Sequence, residues 1–317
     1  MGPALIGVIA AGFLAVAGAS HAQQPAAGAT TPSGAAIVED LTVRGHRTEK
    51  PPPSFSSAVD SYVRSRAQAS PVGNLSRWKI PVCPYTAGLD PAYDAFVSKR
   101  LMQIAAEVGA PGPGQCKTTN VLVVFTSEPQ KLVDNVRTEH PKLLGYHYHA
   151  DEKAISTFQG PMEAWRVTGT RGVKGILSRD EADPPCDAPS CPLGTGQVGD
   201  ANSRLANGLS NEFMFVLVVV KADQVDGQPI GTVADQIATL VLSDPGRRRG
   251  CSPLPSVMDA LDPNCPADAQ IATLTSYDEA YLKGLYATNP ENLVDVQRTA
   301  IGHSLREATR PPATVAR

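Results

Sequence analysis

An α+β fold, with a mixed or mainly antiparallel sheet packed against helices and closed by a C-terminal helical segment, is predicted by this 317-residue sequence. Three observations carry the prediction. Phe213–Val220 is apolar on consecutive positions, as a strand buried on both faces must be. Tyr93, Val97, Leu101, Ile104 and Val108 recur at helical spacing, behind an Asp90-Pro91 start and before Gly109. The cysteine positions then restrict how the first strands can run, as set out below.

The chain opens on an apolar run from Ala4 to Ala19 that ends in Ser20-His21-Ala22, the pattern of a secretory signal peptide over residues 1–22. The run is short for a membrane span and no stop-transfer segment follows, so the mature chain is expected in the periplasm or medium of a Gram-negative bacterium, without membrane insertion. Residues 23–70 are rich in Ala, Pro, Ser and Gly and read as a flexible leader without a core of its own. A single compact domain is expected over 71–308, and a disordered tail over 309–317.

Within the folded region, Trp78 to Cys83 reads as an edge strand because of Pro81. The helix from Pro91 follows, then a buried strand, Asn120 to Phe125. Ser127 caps a helix that stops before Pro141. Leu143 to His149 and Ala164 to Gly169 are weaker strand candidates. Residues 178–207 form a loop rich in Pro, Gly, Asp and Cys. After the strand at Phe213, a helix is expected from Thr232, with Asp235 three residues on as a capping box. Two further helices, capped by Ser276 and by Asn289, close the chain.

Export makes the cysteines informative, since an even number in an oxidising compartment indicates disulfides. Short loops favour Cys186 with Cys191 and Cys251 with Cys265, leaving Cys83 with Cys116. A zinc site fits poorly, because no C-x2-C pair occurs. If the strands ending at Cys83 and beginning after Cys116 were parallel neighbours, their sulfurs would lie about 15–20 Å apart, whereas a disulfide needs Cα atoms within roughly 7 Å. Either these strands run antiparallel or Cys116 folds back over the sheet. The antiparallel arrangement is preferred, and it moves the expectation from doubly wound α/β towards α+β.

A net charge of −3 gives no general case for nucleic acid or anionic membrane. No phosphate loop, dinucleotide fingerprint, G-x-S-x-G or H-E-x-x-H is present, and no cofactor is expected. His147 and His149 would share one face of a strand, as two metal ligands require, but a third ligand is needed. Phe158, Glu163, Trp165 and Arg166 gather around a Gly-Pro turn in a chain poor in aromatics, and form the candidate binding segment. The alternative places Phe158 and Trp165 in the core beneath a loop. Asn74-Leu75-Ser76 is a glycosylation sequon, relevant only in a eukaryotic pathway.

Two segments, QPIGTVADQIATLVLS and LTSYDEAYLKGLY, together with the export signal, resemble uncharacterised exported alphaproteobacterial proteins. The leader stretch IVEDLTVRGHR resembles a segment near the mature start of such proteins, and a TonB box. The buried strand followed by a helix and a helical C-terminus resembles zincin-type peptidases. Here the helix that would carry paired histidines reads TVADQIATLVL, so the resemblance implies shape without the metal centre. The expected function is a binding or interaction module for an envelope protein or small ligand. The alternative is an exported hydrolase, metal-assisted through His147 and His149 or degenerate.

Overall fold

The computed structural model describes residues 54–112, 116–145, 152–180, 203–246 and 250–309. Five strands form its sheet: β1 Pro84–Ala87, β2 Val121–Thr126, β3 Met162–Arg171, β4 Leu177–Arg179 and β5 Ser210–Lys221. Their order is β1-β2-β5-β3-β4. β1, β2 and β5 are mutually parallel, and β3 runs antiparallel to both β5 and β4. The fold is thus α+β on a mixed sheet. β5 lies at its centre, which explains its unbroken apolar run: Val216, Val218 and Val220 enter one core, Leu217 and Val219 the other.

Helices cover both faces. The larger core lies under α1 Phe55–Arg66, α2 Pro91–Glu107, α6 Ile230–Leu242, α7 Ser276–Ala287 and α8 Val294–Ala308. The smaller core lies under α3 Pro129–Glu139 and a 3-10 turn at Pro141–Leu144, with Val133, Leu144 and Trp165 at its centre. Two short helices, α4 Glu152–Ile155 and α5 Ala222–Val225, sit beside β3 and β5 in the chain. Among the described residues no helix is long and apolar enough to cross a membrane.

The expected leader ends earlier than residue 70. Ser54 accepts from the Ser57 amide as the N-cap of α1, and Val59, Tyr62 and Val63 are buried in the main core. Burial of each such side chain contributes about 1.5–3 kcal/mol, so this helix is part of the folded body. The small polar residues around it mask a stripe of only a few apolar positions, which composition alone reads as disorder. Residues 23–53 lie outside the described residues, as do 1–22 and 310–317.

The cysteine geometry also corrects the expected strand direction. β1 begins at Pro84, after Cys83, rather than ending there, and it pairs parallel with β2. Cys83 and Cys116 therefore both precede their strands at the same end of the sheet, and the bridge forms with Cα atoms 5.5 Å apart. The Asn120 side chain accepts from the Cys83 amide at 2.7 Å and donates to Pro81 O at 2.8 Å, holding the two strand entrances together. The second predicted bridge, Cys251–Cys265, is also present, and Cys186 and Cys191 lie outside the described residues.

Four helix starts differ from expectation, and α3 is one of them: its N-cap is Glu128 rather than Ser127, without a side-chain cap bond. α6 begins at Ile230, and Asp235 binds Arg100 of α2 through Nε at 2.7 Å and Nη2 at 3.3 Å instead of capping. α7 is capped by Thr275 with Asp278 in the reciprocal position, one residue ahead of the expected Ser276 cap. α8 starts at Val294 rather than after Asn289. Of the weak strands, Ala164–Gly169 falls within β3, whereas Leu143 and Leu144 lie in the 3-10 turn. Asn74 is fully buried with its side-chain amide donating to Leu209 O, so the sequon is closed in the folded chain.

Two glycines are required by close approach. A Cβ on Gly88 (φ +108°) would meet Phe125 O at 2.1 Å, and one on Gly145 (φ +64°) would meet Arg166 O at 1.8 Å. Gly88 lets the chain leave β1 tightly over the end of β2, and Gly145 lets the 3-10 turn press on β3.

Two buried tyrosines, Tyr62 and Tyr281, and the partly buried Tyr286 make the fold sensitive to base. Desolvation is the leading cause that raises the hydroxyl pKa of Tyr62, Tyr281 and Tyr286 above the ordinary value of 10.0. Folded, these groups keep their protons; unfolded, they ionise near pH 10. Their contribution is therefore complete below about pH 10 and lost as pH rises beyond it. The urea midpoint should fall between about pH 8 and about pH 11, with phenolate absorbance from these residues rising only on unfolding. An unchanged midpoint contradicts this.

Candidate functional site

The parallel part of the sheet has a consequence at its carboxyl ends. From β2 the chain turns into α3, over the smaller core, whereas from β5 it turns through α5 into α6, over the larger core. Neighbouring parallel strands whose connections leave towards opposite faces open a crevice at their carboxyl ends, the usual ligand position in open sheets. A shallow depression of about 500 Å³ lies there. It is formed by Ser127 to Lys131 after β2, by Lys221 and Gln224 after β5, and by Phe158 and Gly160 ahead of β3.

Its walls are tied together locally. Gln130 of α3 donates to Ser156 O at 2.9 Å and accepts from the Phe158 amide at 2.9 Å, clamping the 156–158 segment against the first turn of the helix. The Lys221 amide donates to Pro161 O at 2.8 Å, joining the β5 exit to the turn before β3. Thr126 Oγ1 accepts from the Glu128 amide at 3.1 Å and sets the β2 exit. Charge of both signs lines the depression. Lys131 pairs with Glu128 at 3.1 Å, and Lys221 with Asp223 at 3.7 Å. Exposed pairs of this kind are worth about 0–1 kcal/mol, so a ligand can replace either partner at little cost.

The predicted binding segment is divided by the pleat of β3. Phe158 reaches the depression, its ring stacked 6.5 Å from Trp165. Trp165 is buried in the smaller core and donates from Nε1 to Ile155 O at 2.8 Å, which is the core alternative. Glu163 stands outside the lining, its carboxylate accepting from the Gln159 amide at 2.8 Å. Arg166 points to the opposite face, where it donates to Leu240 O at 2.6 Å and Ser243 O at 3.2 Å at the end of α6 and pairs with Asp244 at 3.4 Å. It satisfies carbonyls that a helix C-terminus leaves open. Glu163 and Arg166 thus do not pair with one another.

His147 and His149 lie outside the described residues. Among the described residues, no three His, Cys, Asp or Glu side chains are grouped to hold a metal ion. Lys131, Lys221, Gln130 and Gln224 were missed by sequence reasoning. The available signal was their place: polar residues directly after the two most apolar strand runs.

A second polar cluster is buried and structural. Asp278 of α7 accepts from the Tyr62 hydroxyl at 2.6 Å, the Ser256 hydroxyl at 2.6 Å and the Val257 amide at 2.9 Å. It also takes the Thr275 amide at 3.1 Å and the Thr275 hydroxyl at 2.9 Å. Arg66 lies over the Tyr62 ring at 3.7 Å and donates from Nη2 to Ser252 Oγ at 2.8 Å and Ser256 Oγ at 2.5 Å. The cluster joins α1, α7 and the loop closed by Cys251–Cys265.

Fold and site together define an α+β domain on an open mixed sheet with a crevice at the carboxyl ends of its parallel strands. Compared with protein-family models, curated proteins and solved structures, the chain matches none.

Proposed function

We propose that this chain is an exported binding module whose ligand sits at the carboxyl ends of β2 and β5. The observation that carries the reading is the opposite departure of the chain from these two parallel neighbours, with the depression at that point. Two disulfides accord with an oxidising compartment. The lining offers ammonium groups on Lys131 and Lys221, a carboxylate on Glu128, amides on Gln130 and Gln224, and the Phe158 ring. That combination complements a zwitterionic ligand of amino-acid or short-peptide type, with its apolar part against Phe158.

The test is amide chemical-shift mapping on the full mature chain, titrated with amino acids and short peptides. Shifts should cluster at Ser127–Lys131, Phe158–Gly160 and Lys221–Gln224. The Lys131→Gln/Lys221→Gln variant should weaken binding about tenfold, the loss of roughly 1.4 kcal/mol, while its melting temperature stays close to that of the parent. Shifts confined to other surfaces, or none at millimolar ligand, reject the reading.

A further inference from the structure

The Arg66 guanidinium is 1% exposed, yet its nearest carboxylate, Asp278, is 3.9 Å away and its Nε has no partner. Apart from Ser65 at 3.5 Å, its side-chain hydrogen bonds go to two hydroxyls, those of Ser252 and Ser256, and both belong to the loop that the Cys251–Cys265 bond closes. The two serines are anchored differently. Ser256 is held by Asp278 of α7 and is followed by Val257, whose carbonyl accepts from Gln236 of α6, so that half of the loop is fixed to the core without the bridge. Ser252 adjoins Cys251 and is otherwise held within the loop, by Asp259, whose carboxylate accepts the Ser252 amide at 3.1 Å and its hydroxyl at 3.3 Å. Cys251 is exposed and Cys265 is 4% exposed, so one sulfur of the bond is open to attack.

We infer that the Cys251–Cys265 bond is a redox-operated latch on α1. With the bond closed, Ser252 is held against Arg66 and the last turn of α1 stays dry. An external dithiol opens it: one thiolate attacks Cys251 Sγ, forming a mixed disulfide and releasing the Cys265 thiolate, and the second thiol then displaces Cys251. The dithiol becomes a disulfide, two electrons pass to the bridge, and both cysteines leave as thiols once protonated. The 250–253 arm then lifts and water reaches Arg66, a buried cation left with fewer partners. The elements that α1 packs on, α7 and α8, and the central strand β5 keep their places, so the change is local.

Hydrogen–deuterium exchange on the full chain tests this, with the Cys251→Ser/Cys265→Ser variant beside the oxidised parent and the parent treated with dithiothreitol. Amides in the last turn of α1, through Ala67, should exchange about tenfold faster in both, with β5 unchanged. The Ser252→Ala variant, its bridge intact, should accelerate the same amides by a smaller factor. Less than a twofold change in α1 overturns the latch. So does an equal acceleration in β5, which makes the bond a general staple, or a Ser252→Ala variant that exchanges like the parent, which removes Ser252 from the device.

Discussion

The Asp278→Ala variant is expected to lose about 3–5 kcal/mol of stability, the usual consequence of leaving a buried charge without its partner. The carboxylate takes five hydrogen bonds from four residues and faces Arg66. Its removal orphans the Tyr62 hydroxyl and two backbone amides, and leaves the Arg66 guanidinium without another carboxylate within ion-pair distance among the described residues. Each stranded buried group costs about 1–3 kcal/mol, and domains of this size have only about 5–15 kcal/mol in hand. Asp278→Asn should recover only part, because one Oδ position accepts from the Val257 and Thr275 amides and an amide NH2 there would face donors. Urea unfolding of the full chain decides the matter: a loss below about 1 kcal/mol would mean that water replaces the carboxylate and the cluster is not dry.

Trp78→Ala should cost a similar amount, about 3–5 kcal/mol, through the cavity it leaves. The side chain is 1% exposed, its ring lies 5.6 Å from that of Phe213, and Nε1 donates to Val241 O at 2.8 Å near the end of α6. It joins the approach to β1, the central strand and α6 at one point. Trp78→Phe retains much of the volume and loses the donor, so about 1–3 kcal/mol is expected from the stranded carbonyl. The chain has two tryptophans, and Trp78→Phe leaves Trp165 in the smaller core as the single emitter. Its emission should be unchanged in the folded variant. A red shift would show that the two cores are coupled through β5, against this expectation.

Most of the fold was legible wherever one physical signal dominated. The run at Phe213 marked a strand covered on both faces, and the Asp90-Pro91 start with its helical stripe marked α2. Legibility failed where distant partners overrode local ones. Asp235 looked like a cap and is the bidentate partner of Arg100. Residues 54–66 looked like leader because tertiary burial, rather than propensity, makes that helix. A shift of the first strand to the far side of Cys83 reversed its inferred direction, since a cysteine at a strand's start and one at its end imply opposite geometries. The site was less legible still. Phe158 was found through its aromatic character, but alternation along β3 sends Trp165 and Arg166 to opposite faces. The lining residues around it become neighbours only through the sheet order, which no local pattern records.

The bridge between Cys83 and Cys116 and the depression at Lys221 stand at opposite rims of one sheet. The covalent bond holds the strands in register from below, and Gly88 packs the exit of β1 tightly over Phe125. At the upper rim, the residues that meet the depression come from segments whose departure the strands already dictate. Such a division lets substitutions accumulate at Lys131, Lys221 and Gln224 without reopening the question of how the chain folds. A scaffold arranged in this way can vary its upper rim while its shape stays fixed from the lower one.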